Sequence, residues 1–168
     1  MLVPKIGPPV GRAILALMPS PALDAADRAG LAYRVITHGP VRSLAEAAQA
    51  RGVATEDVVK TLVVRRAAED FLFVLVPGNR AISWPKLRSL LGVKRLSLPD
   101  AAVAKAATGY ERGTITPFGS ARDWPVIADA RLPGRQITLG AGEHGVAIGA
   151  AADDIISALG ATVADVSE

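Results

Sequence analysis

The sequence contains no cysteine. That excludes disulfides, thiolate metal sites and thiol nucleophiles, and it suits a reducing, cytoplasmic setting. Histidine is scarce as well: His38 and His144 are the only two. Two distant imidazoles make a poor metal site, so neither a metal nor a cofactor is expected. There is no G-x-S-x-G elbow, no H-E-x-x-H, no Walker loop and no convincing G-x-G-x-x-G. Aromatic side chains number only seven, so the core must be built from Ala, Val, Leu and Ile. No apolar run approaches the roughly 20 residues needed to span a bilayer. The run Ala13–Met18 is short, follows Arg12 directly and is hemmed in by prolines, unlike a secretory signal. Residues 1–20 read as a tail or linker and residues 21–168 as a single domain.

Basic residues are missing from one end of the chain. All 19 Lys and Arg precede Gln136, where they face 11 acids, whereas residues 136–168 hold five acids and no base. Between Arg80 and Arg95 lie five bases, Arg80, Lys86, Arg88, Lys94 and Arg95, and no acid. Such a segment suits a polyanion, or it is the solvated surface of a helix.

The expected elements mix helices and strands without strict alternation. A helix over Ala22–Ala29 stops at Gly30, and a strand follows at Ala32–Thr37. Ser43-Leu-Ala-Glu46 is a capping box opening a helix to Arg51. Val58–Arg65 and Phe71–Val76 form a hairpin about the turn 66–70. Ser83 caps a helix with Pro85 in its first turn. A short strand at Leu96–Leu98 and a helix over Asp100–Ala107 precede a long connection, residues 109–125. Strands at Val126–Ala130, Gln136–Leu139 and Val146–Ile148, a helix over Ala152–Leu159 and a strand at Thr162–Ala164 complete the chain. The class is α+β, around a curved, mixed, largely antiparallel sheet.

Within V-V-K-T-L-V-V, Val58–Val64, one lysine interrupts an apolar strand. Lys60 shares a face with Val58, Leu62 and Val64, and Thr61 shares the other with Val59 and Val63. Either Lys60 lies near a strand end and snorkels outward, or it lines a pocket and awaits an anion. T-G-Y-E-R-G-T-I-T-P-F-G, Thr108–Gly119, is either a Gly/Pro turn or a loop that lets backbone N–H groups approach a ligand. G-A-G-E-H-G, Gly140–Gly145, is a second glycine loop or a plain hairpin connection.

T-H-G-P, V-V-K-T-L-V-V, V-P-G-N, the 108–119 loop, P-V-I-A-D and A-G-E-H-G, in that order, resemble the YbaK-like aminoacyl-tRNA deacylases. These are also called the prolyl-tRNA synthetase associated, or ProX, editing domain. The resemblance runs from about Ala22 to Leu159. It implies a curved, partly barrel-like mixed sheet with flanking helices. It implies hydrolysis of the ester joining a wrong amino acid to the 3′-terminal adenosine of a tRNA, often tRNA(Pro). It places Lys60, Gly113 and Gly142 in the catalytic set and His38, Thr116, Pro117, Asp129 and His144 against the substrate. Ala128 intervenes before Asp129, and Arg112 stands where a first glycine is usual. The implied partners are aminoacyl-tRNA, carrying a small amino acid such as Cys or Ala, and a prolyl-tRNA synthetase, with neither membrane nor DNA.

An aminoacyl ester is already activated, so its hydrolysis needs a positioned water and donors for the oxyanion rather than a covalent nucleophile. N–H groups around Gly113 and Gly142 are the candidate donors, and the neighbouring ribose hydroxyl is a candidate to orient the water. The basic stretch Arg80–Arg95 would track the acceptor stem. The competing expectation is a binding module that uses the same pocket for a tRNA end, a nucleotide or an amino acid without turnover.

Overall fold

The computed structural model describes residues 20–168. Of the expected tail only Ser20 falls among them; the rest lies outside the described residues. Ser20 caps helix α1 (Pro21–Arg28), its hydroxyl accepting from the Leu23 N–H at 3.3 Å. The order then runs β1 (Arg34–Thr37), α2 (Leu44–Arg51), a 3-10 turn (Thr55–Asp57), β2 (Val59–Ala67) and β3 (Asp70–Pro77). Helices α3 (Trp84–Leu91) and α4 (Ala101–Thr108) follow, then β4 (Val126–Asp129), β5 (Gln136–Gly140), β6 (Val146–Ala151), α5 (Ala152–Leu159) and β7 (Thr162–Ala164).

The strands form two sheets. One has the order β1-β6-β5 and is antiparallel throughout. The other has the order β2-β3-β4-β7, with an antiparallel β2–β3 hairpin and parallel β3–β4 and β4–β7 pairs. The parallel pair β3–β4 needs a long crossover, which α3, α4 and the 109–125 connection supply. The expected curved sheet is therefore two sheets meeting along a seam, where Val58 bridges Thr138 of β5 in parallel. The result is a mixed α+β fold with flanking helices.

The larger core lies between the sheets. Val59, Val63, Phe71, Phe73 and Leu75 meet Ile137, Leu139 and Ile148 there, with Leu23 and Ile155 from α1 and α5. A second core covers the opposite face of the β2–β3 sheet, where Val64, Leu72, Val74 and Val76 meet Ile82, Leu87 and Val166. Burial on both faces explains why β3 reads as a continuous apolar run rather than an alternating one.

Local departures from expectation have local causes. Glu46 accepts from the Arg42 N–H at 2.6 Å, one residue outside the usual reciprocal cap, while Ser43 accepts from Glu46 at 3.1 Å. The hairpin turn is tighter than 66–70, because β2 continues to Ala67 and Glu69 takes a left-handed φ of 55°. Leu96–Leu98 is not a strand: only Ser97 pairs, exchanging two bonds with Arg65 at 2.7 and 3.1 Å.

Candidate active site

At the seam, β2 and β5 touch through the Val58–Thr138 bridge, and no regular ladder continues beyond it. A cleft of about 1040 Å³ opens there. Val58 and the first five residues of β2, 59 to 63, line it. Consecutive residues point to opposite faces, so this lining requires the strand's open edge rather than one face. The other walls come from the loop after β1, from α2, from the start of α4, from residues 112–115 and from residues 140–146.

Lys60 lies half-buried on this edge, and its ammonium donates to the main-chain carbonyl of Arg80. Burial holds its pKa below the ordinary lysine value. Side-chain alternation places it on the face shared with Leu62 and Val64, which pack in the second core. An ammonium has three donors, so the carbonyl leaves capacity for a ligand.

His38 directly follows β1, and its N–H donates to the Gly145 carbonyl at 2.9 Å. That close approach explains Gly145: a Cβ there would fall 2.5 Å from the His38 carbonyl oxygen. The His38 Nδ1 lies 2.8 Å from the Gly39 carbonyl, which can only accept. Nδ1 therefore carries a proton. Nε2 is buried with no partner among the described residues. Two more orphaned buried atoms, Thr61 Oγ1 and Arg51 Nε, belong to residues lining the same cleft. Three unmet polar groups around one cavity are the signature of a site awaiting a polar ligand or ordered water.

Arg51 is the last residue of α2, and its Nη1 donates to Thr138 Oγ1 at 3.1 Å. Among the described residues no carboxylate pairs with it, and burial pushes its pKa down. Neither Arg51 nor Thr61 stood among the expected site residues. Thr61 was visible as the lone polar residue on its strand face. Arg51 gave no signal, because its partner lies 87 residues away on another element.

Gly113 lines the cleft with φ +88°, beside His144, which is exposed with its Nε2 3.9 Å from Glu111. The Gly113 N–H has no partner among the described residues and remains a candidate oxyanion donor.

Other expected site residues are committed elsewhere. The Gly142 N–H donates to the Thr114 carbonyl at 2.9 Å, so it is not a free oxyanion donor. Gly142 borders a separate, shallower hollow together with Glu111 and His144. Thr116 and Pro117 are buried and do not line the cleft; Thr116 Oγ1 accepts from the Phe118 N–H at 3.3 Å, a contact internal to the loop. The preceding Tyr110 is tied into the same loop, donating to the Phe118 carbonyl at 2.6 Å.

Asp129 is fully buried, away from the cleft. It accepts from the Arg131 and Val166 N–H groups at 3.0 and 3.1 Å and from the Arg131 guanidinium at 3.3 Å. Burial alone would raise its pKa, but these bonds and one from Ser167 hold it below the usual carboxylate value. In this position it pins the C-terminal segment to β4 and does not line the cleft.

The basic stretch is likewise partly occupied. Arg80 Nε donates to Ser167 Oγ at 2.8 Å, and Lys86 bonds both oxygens of Asp165 at 3.0 Å. The base-free C-terminal region thus supplies counter-charges to the basic middle. Arg88 is half-buried, while Lys94 and Arg95 are exposed; none of the five lines the cleft. The cations that do are Arg42, Arg51, Lys60 and Arg112.

Two sheets parting at a seam, with a cationic, glycine-rimmed cleft between them, define a mixed α+β domain with flanking helices. Residues 38–158 match the model of the Aminoacyl-tRNA editing domain, and the chain belongs to that family. It is 31% identical over 106 residues to a proline–tRNA ligase of Thermoanaerobacter sp. (strain X514), covering 61% of this chain but only 18% of the ligase. It is 26% identical over 121 residues to an Enterococcus faecalis protein named "Putative Cys-tRNA(Pro)/Cys-tRNA(Cys) deacylase EbsC", covering 71% of this chain and 74% of that protein. The crystal structure of the hypothetical protein APE2540 superposes with a TM-score of 0.80 at 30% identity, over 87% of this chain and 98% of that one.

Proposed function

We propose that this chain hydrolyses the ester of mischarged aminoacyl-tRNA in trans, acting on tRNA(Pro) that carries a small amino acid such as Cys or Ala. The observation that carries this reading is the cleft: Lys60 with its half-buried ammonium, Gly113 with its unpaired N–H and three residues with orphaned polar atoms line one cavity sized for a nucleotide and its amino acid. Lys60 attracts the anionic chain end, as a compact point charge does for phosphate. In this reading the unpaired Gly113 N–H donates to the developing oxyanion, a contact that strengthens as the carbonyl carbon becomes tetrahedral. The adjacent ribose hydroxyl orients the attacking water, which suits a site where, among the described residues, the lining serine Ser43 bonds the Glu46 N–H rather than a histidine. Amino acids differing by one methylene would be separated by only about 1–3 kcal/mol, so selection rests on the cavity's volume and its polar groups together.

The test is single-turnover hydrolysis of a panel of mischarged tRNAs, with and without a prolyl-tRNA synthetase. Accelerated release of one small amino acid is expected. Tight binding without turnover across the whole panel would instead identify a recognition module.

A further inference from the structure

We propose that the open edge of β2 reads the terminal base of the RNA through main-chain hydrogen bonds, with Thr61 and Val63 as the reading residues. This deepens the deacylase reading and rests on it for the identity of the ligand.

The argument begins with the ladder. From Val59–Pro77 to Arg65–Phe71 the β2–β3 register is continuous. In an antiparallel pair, alternate residues turn their N–H and C=O toward the partner and away from it. Arg65 exchanges both of its bonds with Ser97, on the side away from β3. Its parity partners Thr61 and Val63 therefore also point outward. An independent check comes from Phe73, opposite Val63, which sends its N–H to the Pro125 carbonyl at 2.8 Å and so away from β2. Thr61 and Val63 consequently offer two N–H donors and two C=O acceptors toward the cleft that both residues line.

The size of this edge selects its occupant. It is closed at one end by the Val58–Thr138 bridge and at the other by Arg65–Ser97. Two outward residues span about 7 Å. An added peptide strand needs a longer run of pairs, whereas one heteroaromatic edge fits. Adenine presents an amino donor beside a ring-nitrogen acceptor, which complements the N–H and C=O of one outward residue. The lining also contains Lys60 and Arg51, so the phosphate attached to such a base meets cationic side chains rather than a bare wall.

The experiment titrates 5′-AMP into the isotope-labelled full chain and follows the Thr61 and Val63 amides by NMR. Both resonances should move, and purine riboside 5′-monophosphate, which lacks the amino group, should bind about fivefold to tenfold more weakly. Val63→Pro removes one outward N–H at an edge position where proline is tolerated. It should weaken AMP by a similar factor, while Val63→Ala should not. Because the AMP analogue needs no mutation, a misfolded variant does not block the test. Amides that stay still with AMP, or that move only with an extended peptide, overturn the proposal. Equal hydrolysis of mischarged RNAs ending in adenosine or in purine riboside also overturns it, while leaving the deacylase reading intact. AMP binding at these amides with no hydrolysis of any mischarged tRNA supports the base site and removes the deacylase reading.

Discussion

The ammonium of Lys60 is held by the carbonyl of Arg80, whose own guanidinium is held by Ser167. The C-terminal segment thereby helps fix where the Lys60 ammonium sits. Lys60→Met keeps the aliphatic stem and removes the charge. Deacylation should fall about a hundredfold, while the thermal midpoint stays close to that of the parent. Single-turnover rates beside calorimetry check both halves, and an undiminished rate would remove Lys60 from the mechanism.

Arg51 carries a desolvated charge with a hydroxyl, not a carboxylate, as its protein partner. Arg51→Met should leave folding stability unchanged or raise it, because an isolated buried charge costs more than it returns. Affinity for the RNA substrate should nevertheless drop about tenfold, the scale of one charge-assisted hydrogen bond. Urea unfolding and a binding isotherm separate these effects. A loss of stability with unchanged affinity would make Arg51 a structural residue.

Asp129 and Asp165 share Arg131, which lies 2.8 Å from Asp165. The Arg131 and Lys86 partners hold the Asp165 pKa down to about 2. Both carboxylates titrate lower in the folded state than in the unfolded one. Their stabilisation is therefore complete above the ordinary carboxylate value and is lost as pH falls from about 4 toward 2. Unfolding midpoints measured across that window should fall steeply, and less steeply in Asp165→Asn. Asp129→Ala should cost about 3 kcal/mol at neutral pH, since it strands the Val166 and Arg131 N–H groups.

A Cβ on Gly142 would lie 2.6 Å from the Tyr110 ring, at a φ of +86°. Gly142→Ala should therefore destabilise by about 1–3 kcal/mol through overpacking and backbone strain. Burial pushes the Tyr110 hydroxyl up to about 12. Its contribution to stability is present below the unfolded tyrosine value and is lost as pH rises from about 10 to 12. Tyr110→Phe should flatten that alkaline limb, in denaturant titrations, while losing about 1 kcal/mol at neutral pH.

The sequence made some of this plain and concealed the rest. Ser43, Ser83 and Asp100 cap their helices as their positions imply, because capping depends on neighbours a few residues away. The hairpin and the burial of β3 followed from apolar runs. The division into two sheets did not, since the Val58–Thr138 contact joins segments that share no local pattern. At the site, Lys60, His38, Gly113 and His144 do line one cleft. Thr116, Pro117 and Asp129 are buried outside its lining. A motif lists residues that travel together, and it does not say which of them face the cavity and which hold the wall in place.

The strand Asp70–Pro77 is hidden by a core on each side and by a neighbour on each edge. On the ribosome or in a truncated fragment those covers arrive late, since β4 and β7 follow more than 45 residues behind it. Until then F-L-F-V-L-V is a sticky, uncharged segment of the kind that nucleates cross-β assembly. Expression of pieces ending before β4 should yield inclusion bodies, and the two acids just upstream, Glu69 and Asp70, are the nearest gatekeepers the nascent chain has.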